Sequence, residues 1–277
     1  MRASPFVFPL AVLLGGLLAW RSAPADDRAP AEPLATPGAV ARLAVPGHAM
    51  QYLIALPQGW TPQRTWPVVL VEESAEKNFR SAMQRYVDAR GALPFILVMP
   101  YSVILGAQGQ RDPAVYPYSA ATWDSIGKQG ACAFELEGVN RMLDMVRGTY
   151  HGEPKVYVTG LEAGAHLVWA LTLRQPETLA AAAPVAGNFR HRCVDDADLS
   201  THPARATLPV QAFIGAEDTP WRGGALHAQF AEARQLAQAH GFQAIGETVV
   251  PGRGHEALAG EVLRYFAGLR GSSGQSQ

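Results

Sequence analysis

A single α/β domain, with a mostly parallel sheet covered by helices on both faces, is the fold class that this 277-residue sequence predicts. Two observations carry the expectation. Short β-branched and apolar runs alternate with helical patterns along most of the chain, after two strand-like runs that open the series, and strands spaced by helices imply parallel pairing with both sheet faces buried. No internal repeat or low-complexity break divides the sequence, so its length suits one domain with its own core.

The elements follow in chain order. Arg2 precedes an apolar run from Phe6 to Trp20, and Ala23-Pro24-Ala25 offers a small-x-small cleavage site, so residues 1–25 read as a secretory signal peptide. The apolar run is short for a membrane span, and no Cys follows it to carry a lipid anchor. Pro- and Ala-rich residues 26–38 read as a linker, residues 39–270 as the α/β domain, and residues 271–277 as a frayed, disordered tail. Strands are expected at 51–55, 66–71, 95–99, 155–159, 180–184, 209–214 and 244–250. Helical patterns fall at 78–88, 132–147, 163–174, 225–240 and 256–269. The stretch 101–130 has Gly, Pro and Tyr without a clear period and reads as a rim over the carboxyl ends of the strands, where function gathers in such sheets.

Charge and cysteine content narrow the setting. Cleavage after Ala25 would remove Arg2 and Arg21, taking the 23 basic residues to 21 against 24 acidic ones. A slightly acidic mature chain argues against nucleic acid or an anionic membrane as a partner, and no stable membrane association is expected after cleavage. Cys132 and Cys193 are the only two cysteines, and in an exported protein, periplasmic or extracellular, they read as a disulfide. Two separate buried thiols are the alternative, because sequence does not show that the pair is adjacent.

The pentapeptide Gly160-Leu161-Glu162-Ala163-Gly164 is the most informative motif. A β-branched run, Lys155 to Thr159, leads into it, and a helical stretch with a small first turn leaves it. This is the context of a Gly-x-Ser-x-Gly nucleophile elbow, with a carboxylate where the serine would stand. Together with Ala182 to Phe189, Phe213 to Trp221 and Val250 to His255, the segment resembles the secreted carboxylesterases and polyhydroxyalkanoate-depolymerase-type members of the α/β-hydrolase superfamily, over about Val45 to Leu269. The resemblance implies an α/β-hydrolase fold in which Asp218 is the acid and His255 the histidine, in the order Glu162, Asp218, His255. Glu217 is an alternative acid, and His166 reads as a packed helix residue.

The resemblance also shows departures. Where these hydrolases place a His-Gly-type turn that supplies half of the oxyanion hole, this chain reads Glu72-Glu73-Ser74-Ala75-Glu76-Lys77. Donors at that site are normally worth about 3–4 kcal/mol of barrier, and carboxylates would oppose the developing charge. Attack by Glu162 on an ester carbonyl would form an adduct that expels the carboxylate again. The expected function is therefore a secreted pseudoenzyme lacking serine acyl transfer and retaining a ligand pocket, with Glu162, His255 and Asp218 as an ion cluster. The alternative is an active ester-, epoxide- or haloalkane-type hydrolase with Glu162 as nucleophile or base. A third option makes Ser74 the nucleophile.

Candidate ligand contacts are Glu72, Glu73, Ala163, Trp123 and Trp221. If Glu72 or Glu73 joins Glu162 and Asp218, the pocket would be acidic and suited to a cationic ligand, an amine or a divalent metal, although the spacing matches no metal motif. No cofactor is called for. The partner expected is a small-molecule or polyester-like ligand.

Overall fold

The computed structural model describes residues 35–104, 111–116 and 118–273. The expected signal peptide, most of the expected linker and residues 274–277 lie outside them. The described residues belong to one unit.

Its centre is an eight-stranded sheet: β1 (Val40–Ala44), β2 (Gln51–Ala55), β3 (Val68–Glu72), β4 (Ile96–Pro100), β5 (Val156–Leu161), β6 (Leu179–Val185), β7 (Val210–Gly215) and β8 (Ile245–Val250). The order across the sheet is β1-β2-β4-β3-β5-β6-β7-β8. β1 and β2 pair antiparallel, β2 meets β4 antiparallel, and β4 through β8 run parallel. Helices α1 (Phe79–Arg90), α2 (Ala120–Gln129), α3 (Ala131–Tyr150), α4 (Ala165–Arg174), α5 (Thr219–Arg222), α6 (Ala225–Ala239) and α7 (Ala259–Ser273) complete the chain.

β3 and β4 are buried at every position, which explains why they read as unbroken apolar runs rather than alternating ones. Alternation still assigns the faces. Val68 and Leu70 pack with residues of α3, α4 and α6, whereas Val69 and Val71 pack with residues of α1 and α7. On α1, Phe79, Ala82, Met83, Tyr86 and Arg90 form the buried stripe, and Gly91 ends the helix at φ 52°. The guanidinium of buried Arg90 donates to the carbonyls of Ala55 (2.7 Å), Phe95 (3.1 Å) and Leu56 (3.2 Å), tying α1 to the ends of β2 and the approach to β4.

Three elements differ from the sequence expectation. β1 is an edge strand, half-buried to exposed, and carries no apolar run to announce it. Helix α2 occupies part of the stretch read as an aperiodic rim. Ser119 caps it by accepting the Thr122 N–H at 3.1 Å, and Ile126 is its only buried residue, so it shows no apolar stripe. Helix α7 runs on to Ser273, into the segment read as a tail. Cys132, in the first turn of α3, is bonded to Cys193 beyond β6, with Cα atoms 5.2 Å apart and a sequence separation of 61. Among the described residues no helix is long and apolar enough to cross a membrane.

Candidate functional site

Three connections at the carboxyl ends of β5, β7 and β8 build the site. β5 ends at Leu161, the chain turns through a 3-10 turn at Glu162–Gly164, and α4 follows at once. Glu162 sits at the apex with φ 49°, a left-handed conformation that a non-glycine residue adopts at a cost. The flanking glycines make the turn sterically feasible. A Cβ at Gly160 would lie 2.8 Å from the Cβ of Glu72, and one at Gly164 would lie 2.5 Å from the carbonyl oxygen of Glu73. The Asn188 N–H donates to the Glu162 carbonyl at 3.0 Å and secures the turn against the loop after β6.

The acid and the histidine come from the connections after β7 and β8. Asp218 follows β7, is fully buried, and accepts the Trp221 backbone N–H on Oδ1 at 2.8 Å as the cap of the short helix α5. His255 follows β8, and its Nδ1 lies 2.9 Å from Asp218 Oδ2. An ionised carboxylate accepts only, so this bond puts the proton on Nδ1 and leaves Nε2 as the nitrogen not engaged by Asp218. Glu217 is exposed, and Asp218 makes this contact. Gly215 permits the two loops to meet, since a Cβ there would come within 2.3 Å of the carbonyls of Arg253 and Gly254.

Glu162 and His255 line one cavity of about 240 Å³, with Ser74, Glu76, Arg85, Leu161, Glu256 and Ala257. Glu162 forms no ion pair with His255 among the described residues, so the three-membered ion cluster expected from sequence is here a His255–Asp218 pair with a separate carboxylate on the same wall. Ser74 is buried, gives its hydroxyl proton to Glu73 Oε1 at 3.1 Å and accepts the Glu76 N–H at 3.3 Å. Arg85 and Glu256 were not singled out by sequence. Glu256 is next to His255 in the chain, but nothing local marks Arg85 on α1 as facing this cavity.

Several expected ligand contacts lie elsewhere. Glu72 and Glu73 are buried and do not line the cavity. Glu72 shares the strand face of Val68 and Leu70, toward α3, where its Oε2 accepts the Ser102 hydroxyl at 2.8 Å. Glu135 on α3 is also fully buried and accepts the backbone N–H groups of Val103 and Ile104. Glu72 Oε1 and Glu135 Oε2 have no hydrogen-bond partner among the described residues. Burial first, and then the charge of Glu135, holds the Glu72 carboxyl well above the ordinary range, and burial pushes Glu135 up to about 8. Burial also raises Glu73, opposed by its bond to Ser74 and by the charge of Arg85.

Trp221 is buried against Phe230 and His227, and reaches the site only through its backbone N–H. Trp123 is half-buried and packs with Tyr116 and Tyr118 outside the cavity lining. Both stood as contacts because they lay in apparent loops, and each belongs to a helix. The Ala163 side chain is buried, which leaves only its backbone next to the elbow. His166 is buried in α4, with its pKa lowered to about 4 by burial and then by Arg192 and Arg190. Among the described residues no three His, Cys, Asp or Glu side chains gather where they could hold a metal ion, so the divalent-metal version of an acidic pocket has no ligand set here.

No protein-family model matches the chain, and no curated protein matches it. Solved structures do. Poly(aspartic acid) hydrolase-1 from Sphingomonas sp. KT-1 is similar with a TM-score of 0.57 at 15% identity, covering 83% of this chain and 97% of that one. A putative dienelactone hydrolase from Klebsiella pneumoniae gives 0.57 at 16% identity, over 84% of this chain and 98% of that one. A poly(3-hydroxybutyrate) depolymerase from Bordetella parapertussis gives 0.56 at 20% identity, over 79% of this chain and 86% of that one. At these identities the likeness is one of fold. With the mostly parallel sheet, the strand–turn–helix elbow and the order of its three loops, it shows that the chain has the α/β-hydrolase fold found in these esterases and depolymerases.

Proposed function

We propose that this chain is an exported α/β-hydrolase-fold protein that does not perform serine acyl transfer and keeps its cavity as a binding site for a small molecule. One observation carries the reading: the apex of the elbow holds the carboxylate of Glu162, in a left-handed turn, on the cavity that His255 also lines. A carboxylate that attacks an ester carbonyl gives an adduct whose better leaving group is the same carboxylate, so the reaction returns to its start. The loop after β3 supports the reading. It begins Glu73-Ser74 without the glycine that lets a backbone approach an oxyanion, and the Ser74 hydroxyl is committed to Glu73. The Cys132–Cys193 bond supports export to an oxidising compartment. The slight acidic excess supports a small-molecule partner rather than nucleic acid.

The second reading is an active hydrolase that uses Glu162 as nucleophile on an sp³ carbon or as a base. It is favoured by the retained left-handed turn and by the intact His255–Asp218 pair, both of which a purely structural role would not need. Hydrolysis of a short activated ester, an epoxide and a haloalkane by the wild type, Glu162→Ser and Glu162→Ala distinguishes them. A silent wild type with activity gained in Glu162→Ser is the expected result. Wild-type turnover that disappears in Glu162→Ala would overturn the first reading.

A further inference from the structure

The cavity over the elbow holds two opposite charges that do not meet. The Glu162 carboxylate comes from the β5–α4 turn and the Arg85 guanidinium from α1, and both line the same space of about 240 Å³. Neither side chain has a hydrogen-bond or ion-pair partner among the described residues, so the two lie more than 4.0 Å apart. The other carboxylates on the wall are engaged: Glu76 accepts from the Asn78 amide at 3.2 Å, and Glu256 stands 3.7 Å from Arg253. Arg85 is felt electrostatically by Glu73, but that carboxyl is buried outside the cavity and its pKa is raised, which weakens it as a counter-ion.

An unpaired cation and an unpaired anion across one small cavity are complementary to a molecule that carries both charges itself. We infer that the cavity binds a small zwitterion of the amino-acid class, its carboxylate on Arg85 and its ammonium on Glu162. Arginine offers a planar fork suited to a carboxylate, and an ammonium can donate to a carboxylate acceptor. The volume corresponds to about eight liquid-water molecules at roughly 30 Å³ each, enough for a free amino acid or a small dipeptide. Leu161 and Ala257 give the space an apolar wall for a short side chain. A simple amine would gain nothing from Arg85, which is exposed and hydrated without a ligand, and a simple carboxylic acid would meet repulsion from Glu162.

The inference rests on the cavity being a ligand site, and its test is separate from the ester assay. Binding to the full mature protein is measured by calorimetry with glycylglycine and 4-aminobutyrate as probes, beside butylammonium and butyrate. At least one zwitterion is expected to bind about tenfold or more tightly than either singly charged analogue, the size of one charged hydrogen bond. Arg85→Gln should abolish the advantage over butylammonium, and Glu162→Gln the advantage over butyrate. Circular dichroism of both variants confirms that they fold. Equal affinity for butylammonium and the zwitterions, or no binding of any zwitterion by a folded wild type, overturns the inference. Ester turnover by the wild type would instead remove the non-catalytic reading and leave the charge preference standing.

Discussion

Lowering the pH from 8 to 6.5 is expected to stabilise this protein, and the cause is the buried carboxyl pair behind the cavity. Glu135 titrates at about 8 in the fold against 4.5 when unperturbed, because burial outweighs the donors from Val103, Ile104 and Ser102. A carboxyl whose folded pKa is raised contributes its full stability below the unfolded value and loses it as pH rises through the folded one, here between 4.5 and about 8. At about 1.36 kcal/mol per pH unit, the part of that window between pH 8 and 6.5 is worth on the order of 2 kcal/mol. Glu72 acts in the same direction, with Glu135, Glu73 and Tyr116 as its ionisable surroundings. His166 acts oppositely at lower pH. Its pKa is depressed from 6.5 to about 4, so its contribution is present above 6.5 and is lost as pH falls toward 4. The gain on lowering the pH should therefore be steepest above pH 6.5 and smaller below it, where His166 offsets one of the two carboxyls. For a domain of this size, 2 kcal/mol shifts Tm by about 4–8 °C. Differential scanning calorimetry at pH 8 and 6.5 reads the shift. Glu135→Gln, which keeps an acceptor for Val103 and Ile104, should flatten most of it. A wild-type Tm that is equal or lower at pH 6.5, or a Glu135→Gln variant with an undiminished pH slope, would refute the reasoning.

Three further outcomes follow from the packing. Gly164→Ala drives a methyl against the carbonyls of Glu73 and Glu72 at 2.5 and 2.6 Å and should cost about 1–3 kcal/mol in urea unfolding, more than Gly148→Ala, where a Cβ meets nothing within 4 Å. Reducing the Cys132–Cys193 bond should lower stability by about 4 kcal/mol on the chain-entropy model, read as a fall in the denaturation midpoint with a thiol reductant. Arg90→Met strips three buried carbonyls of their donor and should cost about 3 kcal/mol by thermal unfolding, with little effect on cavity ligands.

The fold was legible in the sequence because parallel strands buried on both faces leave dense apolar runs, and the seven expected strands correspond to β2 through β8 with ends shifted by no more than a few residues. What escaped was what burial does not mark. β1 is an exposed edge, and α2 buries only Ile126. The elbow could be read from glycine spacing alone, and Gly160 and Gly164 show why: each faces another strand's atoms too closely for a side chain. Glu72 and Glu73 were conditional ligand contacts, because sequence does not say which way a carboxylate at a strand end turns, and both are buried away from the cavity lining. The buried partner of Glu72 in the cluster, Glu135, lies 63 positions farther along the chain, on another element. Arg85 is one arginine among many until α1 is docked on the sheet.

The Cys132–Cys193 bond also has a mechanical consequence. The segment between its cysteines, which are 61 positions apart, contains β5, the elbow, α4 and β6, so these elements form a covalently closed ring within the chain. A protease that cuts once inside the ring leaves its two fragments joined. Under a force applied at the termini, tension passes through the sulfurs and bypasses the ring, which withholds roughly 200 Å of chain from extension until the bond is reduced.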